Sequence, residues 1–157
     1  MTLRLHRGAG MLAGYDYDSV LPRLRKLAPD EAFVTLRESD VAAYRVSRSG
    51  TVELVLDEAA TKRVAGGRPL TDACGEGPFV VLFDEELLYG GQCYPAMGAA
   101  ALAYPVIHTD DDHGRLVLRV APAQGSWDPG DRESTARIDP PVLRARFERL
   151  GRFEELP

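Results

Sequence analysis

Between Gly77 and Asp84 the chain runs Pro-Phe-Val-Val-Leu-Phe, without one polar side chain. A short, unbroken apolar run closed off by glycine and charge reads as a buried β-strand. Such a strand needs a sheet around it, so the flanking sequence is read for partners. Residues 42–47 and 51–56 alternate about Arg48-Ser49-Gly50, a hairpin signal, with Val52, Leu54 and Leu56 on one side of the pleat. Val106-Ile107-His108 and residues 115–120 flank the polar stretch Thr109-Asp-Asp-Asp-His-Gly114, which is expected to be the loop of a second hairpin. Leu116, Leu118 and Val120 then point inward, and Arg115 and Arg119 outward. Residues 2–5 and 33–36 are shorter strand candidates. Gly90-Gly91 is expected to close the segment that follows the apolar run, and residues 94–104 fit neither period clearly.

Helical signals are fewer. Asp16 to Ser19 supply capping side chains ahead of Val20, Leu21, Leu24, Leu27 and Ala28, with Pro22 expected in the first turn and Pro29 as the stop. Asp57 is placed to cap a short helix through Ala59, Ala60 and Val64. The clearest helix is expected over 139–151, with Asp139 as its cap and Pro140 and Pro141 in the first turn. Its apolar stripe is Leu143, Phe147 and Leu150, Arg144 and Glu148 sit four apart, and Gly151 ends it. These elements predict an α+β fold, a mainly antiparallel sheet built from hairpins and covered on one side by an N-terminal and a C-terminal helix. Regular strand–helix alternation is missing, which argues against a doubly wound sheet. A length of 157 residues suits one domain spanning 1–157, with 121–137 as a Pro/Gly/Asp-rich loop holding Trp127.

Charge narrows the partners. Residues 31–114 carry 14 acids against 6 bases, inside a chain of net charge −5. An acidic centre disfavours binding to a phosphate backbone and suits a basic protein partner. The 17 arginines are not a nucleic-acid signal, because the chain has no asparagine, two lysines and two isoleucines, a bias that follows GC-rich bacterial coding. No apolar stretch approaches the roughly 20 residues of a membrane span. The start, basic and then glycine-broken, reads as a mature cytoplasmic N-terminus.

Several constellations could carry chemistry. His108, Asp110, Asp111, Asp112 and His113 are the densest set of potential metal ligands, of a kind suited to zinc, manganese or iron, though neighbouring aspartates on a hairpin end diverge. Cys74 and Cys93 lie 18 residues apart, outside any metal-ligand spacing, and Cys93 is a candidate nucleophile served by His108 or His113. A buried cysteine packed as a small apolar residue is the plainer reading. Gly8, Gly10 and Gly14 have the spacing of a loose phosphate-cradling turn but lack the lysine and serine of a P-loop. Asp84, Glu85 and Glu86 close the apolar strand as three consecutive acids. Tyr89 and Trp127 are expected beside them as amphipathic contact residues in loops.

The expectation is therefore a small acidic binding protein that blocks a basic partner, as a bacterial immunity or antitoxin-like inhibitor blocks a toxin, with Asp84, Glu85, Glu86, Tyr89 and Trp127 in contact. No cofactor, nucleic acid or membrane is called for. The alternative is a small hydrolase or transferase using His108, His113 and an acid of the aspartate run, with a metal on His108, Asp110, Asp112 and His113 or with Cys93 as nucleophile.

Overall fold

The computed structural model describes residues 1–8, 12, 16–65, 77–94, 102–122 and 136–157. They form a mixed α/β fold dominated by one nine-stranded sheet, with few helices. The elements in chain order are β1 (Thr2–His6), α1 (Tyr17–Leu24), β2 (Ala32–Arg37), β3 (Val41–Ser47), β4 (Val52–Leu56) and α2 (Glu58–Ala65). There follow β5 (Pro78–Phe83), β6 (Glu86–Cys93), β7 (Val106–Asp112), β8 (Arg115–Ala121), α3 (Pro141–Arg149) and β9 (Phe153–Leu156). Strand order is β2-β1-β5-β6-β7-β8-β4-β3-β9. Pairing is antiparallel except at β6/β7 and β3/β9.

The apolar run is β5, flanked by β1 and β6 and buried from Pro78 to Leu82. Its alternate residues enter different clusters. Phe79 and Val81 join the main core with Leu3, Leu5, Tyr44, Leu54, Tyr89 and Phe147. Val80 and Leu82 pack on the other face with Val20 and Leu24 of α1. The main core holds Leu143 and Phe147 of α3, so the N-terminal and C-terminal helices lie against opposite faces. The one-sided cover expected from the sequence does not form, because β5 is apolar on both faces and each needs its own layer.

Chain geometry shows that the sheet is strongly curled. The short turn Glu38–Asp40 leads from β2, at one edge, into β3, seven places away in strand order. A flat sheet would separate them by roughly 34 Å at ~4.8 Å per strand, whereas four extended residue steps reach at most about 14 Å. The two halves of the sheet therefore wrap around the same core, and the main cluster draws side chains from both. The halves meet at a narrow seam, where β6 and β7 pair through Gln92↔Val106 and Cys93↔Ile107.

Close packing on both sides of β6, the seam at Gly91 and β5 with α1 at Gly90, explains these two glycines, which do not close the segment but lie inside the strand. A Cβ on Gly91 would overlap the Pro105 carbonyl oxygen, and one on Gly90 would press on the Phe79 carbonyl and Leu24. Both glycines allow close backbone approach.

Several local expectations are corrected. Asp16 does cap α1, accepting from the Ser19 N–H at 2.9 Å, but Pro22 falls in the second turn of an eight-residue helix rather than the first. Asp57 caps α2 through the Ala60 N–H at 2.7 Å. Helix α3 begins after Pro140, not Asp139. The Asp139 carboxylate accepts instead from the Tyr44 hydroxyl at 3.0 Å and from Arg144, so Arg144 is tied to Asp139. Burial and this buried acceptor push the Tyr44 hydroxyl far above its ordinary pKa. Leu143 and Phe147 are buried, but Leu150, the third residue of the expected stripe, is 38 % exposed. At Gly151 (φ +64°) the chain turns into β9, which pairs parallel with β3 and was not expected from the sequence.

Candidate functional site

The acids Asp84 and Glu85 form the turn of the β5–β6 hairpin, and Glu86 opens β6. Both turn residues are left-handed, with φ +50° and +65°. Positive φ at both central positions is the mark of a type I′ turn, which matches strand twist and favours Asn-Gly or Asp-Gly. Aspartate tolerates this region, but glutamate does so at a cost of about 1 kcal/mol or more. All three acids are exposed. One contact ties the tip down, a 3.0 Å pair between Glu85 and Arg4 on the neighbouring β1, with Glu85 still 73 % exposed.

The two aromatics expected beside this tip fare differently. Tyr89 is fully buried, its ring edge-on to Phe79 at 6.3 Å, so it offers no area to a partner. The physical reason is pleat: Tyr89 lies on the face of β6 that meets the main core. Burial raises its hydroxyl pKa well above the usual tyrosine value. Trp127 lies outside the described residues, as do Cys74 and the glycine-rich turn apart from Gly8 and Leu12.

The aspartate run is not a loop. It is the end of β7, and the turn is His113-Gly114, at φ +53° and +83°. Extension undoes the expected metal site. From His108 to Asp112, the last residue of β7, the extended chain covers about 13 Å at ~3.3 Å per residue, and His113 lies in the turn beyond, so the two imidazoles are too far apart to share an ion bound at roughly 2 Å. The aspartates are otherwise engaged. Asp112 accepts from Arg45 at 2.7 Å, and Asp110 pairs with Arg119 at 3.0 Å. Its hydrogen bond from Arg45 holds the Asp112 carboxyl below the usual range. His113 is 98 % exposed, and His108 Nδ1 donates to the Tyr94 carbonyl at 2.8 Å. Among the described residues no group of three or more His, Cys, Asp or Glu is placed to hold a metal.

Cys93 is 1 % exposed and belongs to the main core together with its cross-strand partner Ile107. His108, next along β7 from Ile107, projects from the opposite face, so the sheet separates thiol from imidazole. Neither candidate dyad is assembled.

What the structure does assemble, and sequence reasoning missed, is a transverse row of charges on the outer face. Glu154, Arg45, Glu53 and Arg119 stand in register on four adjacent strands, β9, β3, β4 and β8, with His108 next on β7. Arg45 binds Glu154 at 2.7 Å and Arg119 binds Glu53 at 3.0 Å. Two residues along the same strands, on the same face, Ala43, Val55 and Val117 form a small buried cluster. Residues so distant in the chain carry no linear signal; register alone brings them together. These charges satisfy one another, whereas those of the β5–β6 tip largely do not. No known protein family, curated protein or solved structure matches the chain.

Proposed function

We propose that this is a small acidic binding protein that blocks a basic partner protein by covering its active surface, in the manner of a bacterial immunity or antitoxin-like inhibitor. The β5–β6 tip is its leading contact. The observation that carries the reading is Glu85 at φ +65° in an exposed turn. Glycine would suit the backbone better there, and the exposed pair with Arg4, worth at most about 1 kcal/mol, only offsets that cost, so local folding gives the acid no net advantage. Three adjacent exposed carboxylates would steer a basic surface into encounter, an effect that falls with salt.

The test is capture from a GC-rich bacterial host, followed by association kinetics with the captured partner. Replacing Asp84, Glu85 and Glu86 with Ser should slow association at low salt by about tenfold, and the difference should shrink as salt rises. Glu85→Gly alone should leave stability unchanged or raise it by up to about 1 kcal/mol, relief of the left-handed backbone offsetting loss of the exposed Arg4 pair, while slowing association. Recovery of no protein partner at low and moderate salt, or an unchanged low-salt on-rate for the triple variant, refutes the proposal.

A further inference from the structure

Where the curled sheet closes on itself, the ends of β2 and β5 and helix α3 border an open cleft of about 650 Å³. A contiguous recess of about 330 Å³ shares Arg37 and Ser39 with it. The acids of this corner are mostly already saturated. Both oxygens of Glu38 are taken by Arg146, at 2.8 and 2.9 Å, and this bidentate bond holds the Glu38 carboxyl below the usual range. Asp40 accepts from Arg63 at 2.9 Å and from the Arg37 N–H at 2.8 Å.

Two guanidinium groups on the cleft are left over. Arg37 has no carboxylate partner among the described residues, and Arg149 reaches no nearer an acceptor than the Ala145 carbonyl, at 3.4 Å. Both side chains are exposed. Ser39 adds a hydroxyl with no hydrogen bond among the described residues, and Phe83 adds an apolar wall. In a chain of net charge −5, a pair of uncompensated arginines facing one cavity calls for an anion. Guanidinium forks match tetrahedral and planar oxyanions bidentately. Two positive charges complement a phosphate monoester, which carries about −1.5 to −2 at neutral pH, better than a single carboxylate. The cavity lies within the size range of small-molecule sites, roughly 300 to 1,000 Å³.

We infer that the corner cleft binds a small phosphate monoester, its phosphate held between Arg37 and Arg149 and its organic group against Phe83. Asp84 lines the same cleft and opposes the anion, so its removal strengthens this site. The inference stands apart from partner blocking, and Asp84 distinguishes the two: Asp84→Asn should weaken a basic partner but tighten a phosphate.

The experiment is an NMR titration of the full chain with inorganic phosphate and, separately, phenyl phosphate, at low salt. Saturable shifts are expected at Thr2, Arg37, Ser39 and Arg149, with phenyl phosphate binding more tightly than phosphate. Arg37→Ser with Arg149→Ser should weaken phenyl phosphate by about tenfold or more, and Asp84→Asn should tighten it by about twofold to fivefold. Equal affinity for the two probes points to a site for free phosphate and overturns the ester assignment. Shifts that do not saturate, or an Asp84→Asn variant that binds no tighter, overturn the site altogether, whether or not the double variant folds.

Discussion

Phe147→Ala tests whether α3 is part of the core. Phe147 is 0 % exposed and stacks on Tyr44, with centroids 4.9 Å apart and planes inclined by 12°. Truncating a fully buried phenylalanine costs about 3 to 5 kcal/mol, counting lost transfer energy and the cavity. The stack contributes about 0.5 to 1.5 kcal/mol within that figure. Little relaxation is available, because Tyr44 is held from its other end by the Asp139 carboxylate, itself bound to Arg144. The loss is a large share of the roughly 5 to 15 kcal/mol that stabilises a domain. For a chain of this length it corresponds to a fall of about 8 to 15 °C in Tm. Leu150→Ala is the internal control, since Leu150 is 38 % exposed and its truncation should stay within about 0.5 kcal/mol. Melts followed by circular dichroism would show both. A Phe147→Ala midpoint within about 2 °C of the parent, or a Leu150→Ala loss of equal size, refutes the assignment of α3 to the core.

Gly91→Ala should cost about 3 kcal/mol or more, since the new methyl meets backbone rather than a movable side chain. Hydrogen exchange would show faster loss of protection at the Gln92 and Tyr94 amides, which bond across the seam to Pro105 and Ile107; unchanged exchange there would sink the close-approach argument. His6 is 2 % exposed and neither ring nitrogen has a hydrogen-bond partner among the described residues. Burial lowers its pKa, with Glu31 opposing and Arg4 adding to the shift. The unfolded chain then takes up the proton first as pH falls, so stability is complete above about 6.5 and declines from there down through the lowered folded value. His6→Leu should flatten that slope in urea melts and be neutral or stabilising at pH 7. An identical pH slope in the variant would show that another group is responsible.

Local signals in the chain were sufficient for most individual elements. The apolar run at 78–83 is β5, the caps Asp16 and Asp57 act where their spacing puts them, and both alternating pairs form hairpins. Each of these depends on neighbours within a few residues: a side chain reaching an N–H three places on, or a pleat repeating every second residue. Where a local signal competed with a distant partner, the partner prevailed. Asp139 left its helix to meet Tyr44, 95 residues away, and the aspartates that resembled a loop became strand because β8 pairs with them through Arg115.

Properties that join separated residues were settled by tertiary structure alone. The sequence contains Glu85, Arg37 and Arg149 as three ordinary exposed charges. The turn between β5 and β6 puts the first in a conformation that disfavours it, and the curl of the sheet brings the other two to one cleft with Asp84. The exposure of Leu150 and the burial of Tyr89 were likewise fixed by which face met the core. Periodicity establishes that a residue lies on a face, whereas burial depends on what packs against that face. That is set by strand order and sheet curvature, which arise from pairings across the whole chain.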